Sequence, residues 1–276
     1  MRKRARSGHV RIWLFSQELL FVLSCGMWYN DGQSIYKNRY RPSGRCRSTG
    51  TADPQDREGN LMRRCFIFSA GTYYGLRERP RTGDLVLAAD AGYLACRQAG
   101  VVPDLLLGDF DSMDQPEDFD RIRRMPVEKD DTDTMLAVKT GLEQGCGEFY
   151  LYGGTGGKRL DHTLANLQTL LYLRRHGARG YLYDNDFVWT AIENETLTVE
   201  QTVEWGLLSV FCLGAPASGI DEKGVQYPLS HASLSAEFPL GVSNHIIEPK
   251  ARITVRKGAL IVGWELPSGG VVSEIK

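Results

Sequence analysis

Residues 104–111 read "DLLLGDFD". Three leucines in succession mark a buried strand, a glycine stops it, and two acids follow one residue apart. An extended backbone alternates its side chains, so Asp109 and Asp111 point the same way. Two carboxylates held side by side need a positive charge between them or a shared proton. A short apolar run that ends in Gly or Asp is the pattern of a parallel strand buried on both faces.

The pattern recurs on both sides of that stretch. "CFIFSAG" (65–71), "DLVLAAD" (84–90), "EFYLYGG" (148–154) and "RGYLYDND" (179–186) have the same form. Helices are expected between them. "TDTMLAVKTGLEQG" (132–145) places Met135, Val138 and Leu142 on one face and stops at Gly145. "DHTLANLQTLLYLRRHG" (161–177) follows Leu160 and spaces Leu160, Leu164, Leu167 and Leu171 at helical intervals, ending at Gly177. This alternation predicts an α/β domain over 62–186, a parallel sheet with helices on both faces. From 187 to 276 the runs are short and β-rich, as in "LLSVFCLG", "ARITVRKG" and "ALIVGWEL". No strong helix intervenes, and an antiparallel β-sandwich is expected there.

Residues 1–61 read differently. They carry 11 Lys/Arg against 5 Asp/Glu, whereas the remainder carries 22 against 29. The basic start and apolar run resemble a signal peptide, but Gln17 and Glu18 interrupt it and no small-residue cleavage site follows. The Gly-, Pro- and Arg-rich stretch after it has a disordered composition. A disordered or non-native leader is expected, with Met62 opening the first strand. Overall the 276 residues are 42% hydrophobic and 24% charged with a net charge of -1, which gives no case for nucleic acid. No apolar stretch is long and clean enough for a membrane span. The six cysteines form no CxxC pair and fit a reducing cytoplasm.

The acids collect at strand ends and helix starts: Asp90, Asp109, Asp111, Asp130, Asp133 and Asp161. A single strand-end Asp is an ordinary helix cap. Six on the carboxyl edge of an open α/β sheet, where ligands bind, point to a hard cation such as Mg²⁺ shared with substrate phosphates. "GGTGGKR" (153–159) offers glycine backbone, a helix start and two cations for those phosphates, though it lacks Walker A spacing.

Taken together, "GDFDS", "KDDTD" and "GGTGGKRLDHTLANL", followed by "GVQYPL" and "FPLGVSN", resemble the thiamin pyrophosphokinase family across roughly 62–266. The resemblance implies transfer of a pyrophosphoryl group from ATP to thiamin in a homodimer with shared active sites. It implies Asp109, Asp111 and Asp133 as Mg²⁺ ligands. Lys129, Asp130, Arg159, Asp161 and His162 belong by the same resemblance to the polyphosphate and catalytic surroundings. Asp90, Gly92, Thr132, Gly153, Gly154, Lys158 and Asn166 join them as expected nucleotide contacts. Tyr227, Ser243 and Asn244 match the thiamin pocket, with Tyr227 standing where some relatives have Trp. Asp130 and Asp161 both remain candidates for the group that orients or deprotonates the alcohol. Two other functions use parts of this pattern: a metal-dependent nucleotide hydrolase and a non-enzymatic thiamin or nucleotide sensor.

Overall fold

The structure is a computed structural model that describes residues 62–110, 115–124 and 131–268. The leader, Asp111, Lys129 and Asp130 lie outside the described residues.

The apolar runs form the strands expected of them. Strands β1 (Arg64–Phe68), β2 (Leu85–Ala89), β3 (Leu105–Gly108) and the short β4 (Ile122–Arg124) are joined by β5 (Glu148–Tyr152) and β6 (Arg179–Tyr183). They lie parallel in the order β6-β5-β1-β2-β3-β4. Because side chains alternate, each strand feeds two cores. Cys65, Ile67, Leu87, Phe149 and Leu151 meet the helices α2 (Asp133–Glu143) and α3 (Leu160–Arg175) on one face. Phe66, Phe68, Val86, Tyr150 and Tyr152 face the other way, against α1 (Gly92–Ala99). Aromatic rings dominate that second core, with Phe66 stacked on Tyr150 at 4.7 Å and Tyr152 on Tyr183 at 4.9 Å.

Helix α2 begins at the Thr132 cap, whose hydroxyl accepts from the Met135 N–H at 3.1 Å. Helix α3 corrects the expected leucine stripe. Leu160 and Leu164 are exposed, and the buried face instead carries Asn166, Thr169, Leu170 and Leu173. The leucine spacing is helical, but the sheet meets a face turned away from it, leaving Leu167 and Leu171 at its margin.

The sheet continues beyond β6. A tight turn through Asp184 leads into β7 (Phe187–Glu193), antiparallel to β6. Next come β8 (Thr196–Glu200), β9 (Leu207–Cys212), β10 (Ala217–Lys223), β11 (Ala232–Leu234), β12 (Gly241–His245), β13 (Lys250–Lys257) and β14 (Ala259–Glu265). Strands β7, β14, β9 and β12 extend the large sheet to ten strands, while β11-β10-β13-β8 make a second sheet. The two pack through Ile192, Val210, Ile220, Ile253 and Leu260, an antiparallel sandwich.

Candidate active site

The carboxyl ends of β1, β2, β3 and β5 open into one cavity of about 480 Å³. Strand direction places the acids there. Asp90 follows β2 and is buried, with its backbone in the left-handed region at φ 49°. Its N–H donates to the Leu107 carbonyl at 2.7 Å, fixing the end of β2 against β3. Asp109 follows β3 and is half-buried; the next residue, Phe110, is also left-handed at φ 61°. Positive φ at a phenylalanine is strained, and such strain collects at sites of function. Asp133 opens α2, so its carboxylate sits at the positive end of that helix.

Opposite the acids runs the glycine-rich loop 153–159. Gly153 has φ 65°, and a β-carbon there would lie 2.3 Å from the Ser69 carbonyl. Only glycine fits. The loop is tied down at three points. Asn166 Nδ2, buried in α3, donates to the Gly154 carbonyl at 2.7 Å. The Gly71 N–H donates to the Gly153 carbonyl at 2.7 Å. The Thr155 hydroxyl donates to Asp184 at 2.9 Å. Lys158 and Arg159 leave the loop exposed and line the cavity with His162. One wall thus offers carboxylates and the other cations and a pinned backbone.

Of the residues expected at the nucleotide and metal site, the cavity brings together Asp90, Asp109, Thr132, Asp133, Gly153, Gly154, Lys158, Arg159, His162 and Asn166. Gly92 is not among its lining residues. Its role is close packing, since a β-carbon there would meet the Phe68 carbonyl at 1.9 Å. Asp161 also stays off the wall and pairs with Arg159 at 2.6 Å on the surface. That guanidinium pulls its carboxyl down to about 2. Ser69, Thr134 and Thr163 line the cavity without having been expected there; Ser69 and Thr134 share a 2.8 Å hydrogen bond. The serine was visible in "CFIFSAG", a strand end like the others. Among the described residues no three metal-capable side chains converge, and the third expected metal ligand, Asp111, lies outside them. Asp109 and Asp133 supply the anionic oxygens that a hard cation prefers.

A second cavity, of about 190 Å³, lies in the sandwich between β10 and β12. Tyr227 lines it with an exposed ring, and buried Asn244 lines it from β12. Ser243 does not. It sits exposed at a bulge in β12, at φ 58°, with its N–H donating to the Ser209 hydroxyl. Glu222, unexpected here, reaches the cavity from β10 and is only 1% exposed. Burial pushes its carboxyl up to about 7.

A strand-end cavity divided between acids and a cationic glycine loop, on a sheet that runs on into a β-sandwich, defines an α/β protein suited to handling phosphates. Residues 79–182 match the family model of the thiamin pyrophosphokinase catalytic domain, and residues 194–260 that of the thiamin pyrophosphokinase vitamin B1 binding domain. The chain belongs to the thiamin pyrophosphokinase family. A curated thiamine pyrophosphokinase from Bacillus subtilis is 27% identical over 184 residues, covering 64% of this chain and 86% of the relative. A crystal structure of a thiamin pyrophosphokinase family protein from Enterococcus faecalis superposes with a TM-score of 0.64 at 26% identity, over 75% of this chain and all of that one. The crystal structure of the Bacillus subtilis enzyme, at 22% identity, shares the fold with a TM-score of 0.66 over 74% of this chain and all of that one. No helix among the described residues is long and apolar enough to cross a membrane.

Proposed function

We propose that this chain transfers the pyrophosphoryl group of ATP to the hydroxyl of thiamin, giving thiamin diphosphate and AMP. The observation that carries this reading is the divided cavity: Asp90, Asp109 and Asp133 face a pinned glycine loop bearing Lys158 and Arg159. A pyrophosphoryl transfer needs positioning and charge neutralisation more than covalent help. Family membership supports ATP and thiamin as the substrates.

Asp109 and Asp133, with Asp111, would hold Mg²⁺, which when bound supplies positive charge against the phosphates. The chain's own residues do the rest. Lys158 and Arg159 neutralise phosphate charge, and the loop, fixed by Asn166, sets where the polyphosphate lies. Asp161 holds Arg159 in place. Asp161 and Asp130 are the two carboxylates that could orient the alcohol. The second cavity, with Tyr227, takes the organic substrate. In this reading the chain acts as a homodimer, the sandwich of one subunit completing the site of the other. A reducing cytoplasm suits the four cysteines among the described residues, all buried and free.

Mass spectrometry of a reaction with ATP, Mg²⁺ and thiamin tests the proposal. Thiamin diphosphate and AMP should appear in equal amounts. AMP and pyrophosphate released at the same rate without thiamin would identify a hydrolase instead.

A further inference from the structure

We propose that Glu222 is the residue by which the sandwich recognises its organic substrate, its Oε1 accepting a hydrogen bond from the exocyclic amino group of the thiamin pyrimidine. The inference rests on the functional reading above and deepens it.

The position first argues against a structural role. Strand β10 alternates, with Ile220 and Glu222 turned into the sandwich and Asp221 turned out to pair with Arg256. The buried residues that meet that face are apolar: Ala251, Ile253 and Val255 on β13 and Leu234 on β11. Leucine or isoleucine would complete this core. A buried carboxyl instead costs stability unless it is fully hydrogen-bonded. Glu222 is only half satisfied. Oε2 accepts from Asn244 Nδ2 at 3.1 Å, while Oε1 is buried with no partner among the described residues.

The other polar groups on that cavity are already committed. Asn244 Oδ1 accepts from the N–H groups of Tyr227 and His245, and Nδ2 donates to the Tyr227 carbonyl as well as to Glu222. An amide has two N–H donors and one carbonyl oxygen, so Asn244 has no hydrogen left for a ligand. The remaining side chains are mostly apolar, Pro228, Leu229, Leu240 and Val242 beside the ring of Tyr227, whose hydroxyl is the other polar side-chain group on the wall. Among the described side chains that line this cavity, Glu222 carries the one buried carboxylate oxygen left without a partner. The ligand that fits is a flat, positively charged heterocycle with an N–H donor. Thiamin carries its one N–H donor on the pyrimidine amino group, and its thiazolium supplies the countercharge that an ionised buried carboxylate needs.

Three proteins test the inference: the full chain, Glu222→Gln and Glu222→Leu, each assayed with thiamin and with a thiamin analogue lacking the amino group. The wild type should have a KM for the analogue about 10-fold or more above that for thiamin. Glu222→Leu should raise the KM for thiamin by roughly 10- to 100-fold, leave the KM for ATP unchanged, and treat thiamin and the analogue alike. Glu222→Gln keeps the shape and an acceptor and should fall between. A wild type that does not distinguish the two compounds overturns the inference while leaving the kinase reading intact. So does a folded Glu222→Leu variant that still prefers thiamin by the wild-type factor. A wild type that makes no thiamin diphosphate removes both.

Discussion

The side chain of Asn244 pairs with both backbone polar groups of Tyr227. Its Oδ1 accepts from the Tyr227 N–H at 3.0 Å, and its Nδ2 donates to the Tyr227 carbonyl at 2.9 Å. The side-chain amide thus continues the pairing that Val225 and Gln226 make with Ile246 and His245, and it holds Tyr227 at the sandwich cavity. Asn244→Ala would take the acceptor from the N–H groups of Tyr227 and His245 and the donor from the Tyr227 carbonyl and the Glu222 carboxyl at once. Unpaired buried groups cost about 1–3 kcal/mol each, and relaxation toward water recovers part of that. Urea unfolding should show a loss of about 2–4 kcal/mol. In the fraction that folds, the KM for thiamin should rise more than that for ATP. A stability within about 0.5 kcal/mol of wild type would show that the bridge is dispensable.

The acids of the first cavity make a separate prediction. Asp109→Asn and Asp133→Asn each keep the shape and remove one anionic oxygen. Turnover should fall roughly 100-fold or more, with partial recovery at raised Mg²⁺. Stability should fall by no more than about 1 kcal/mol, the scale of the favourable placement of Asp133 at the start of α2. Near-normal activity in both variants would remove the cation assignment.

These predictions differ in how far the sequence alone could have led to them. The acids were legible because strand ends are legible: "LVLAAD" and "LLLGD" each state a buried strand and its stop in one phrase. Helix α1 was expected only as some helix between two strands; with eight residues and no side-chain cap at Ala91, its bounds carry no local signal. The leucines of α3 misled because four at helical spacing define a stripe whether or not a sheet lies beneath it. Glu222 was hidden for a related reason. It sits in "DEK" (221–223), three charges that read as a surface strand, and only pairing with β11 and β13 turns the middle one inward. Asn244 read, through the resemblance, as a ligand contact. Its saturation by Tyr227, His245 and Glu222 is a property of three segments brought together, which no local pattern encodes.

Asn166 tests the glycine loop without touching its glycines. Buried in α3, it donates to the Gly154 carbonyl at 2.7 Å. Asn166→Ala removes that anchor and leaves a carbonyl behind, at a cost of about 1–3 kcal/mol. The larger effect should be kinetic. A loop free to shift no longer holds the polyphosphate in line, so the KM for ATP should rise on the order of tenfold with turnover falling alongside. The KM for thiamin should stay near wild type, which steady-state kinetics with each substrate varied in turn would show. Equal rises for both substrates would place the defect elsewhere.

The buried carboxyl of Glu222 predicts a pH dependence of stability in the ligand-free protein. Burial raises it from the ordinary 4.5 to about 7, the hydrogen bond from Asn244 opposing the shift. Asp221 and Lys223 flank it in sequence, but alternation turns both to the opposite face of β10. A carboxyl raised on folding leaves the folded state holding a proton that the unfolded chain has released. Below about pH 4.5 both states are protonated and there is no penalty. From there to about 7 stability falls as pH rises, and above 7 the penalty is complete, at most about 3 kcal/mol. Glu222→Gln removes the titration while keeping the shape. Urea unfolding should therefore find the variant close to wild type near pH 4.5 and more stable than wild type at pH 8. Saturating thiamin should raise the stability of the wild type more than that of the variant at pH 8, because a bound cation offsets the buried charge. A stability difference that is the same at both pH values would show that Glu222 is not carrying a buried charge.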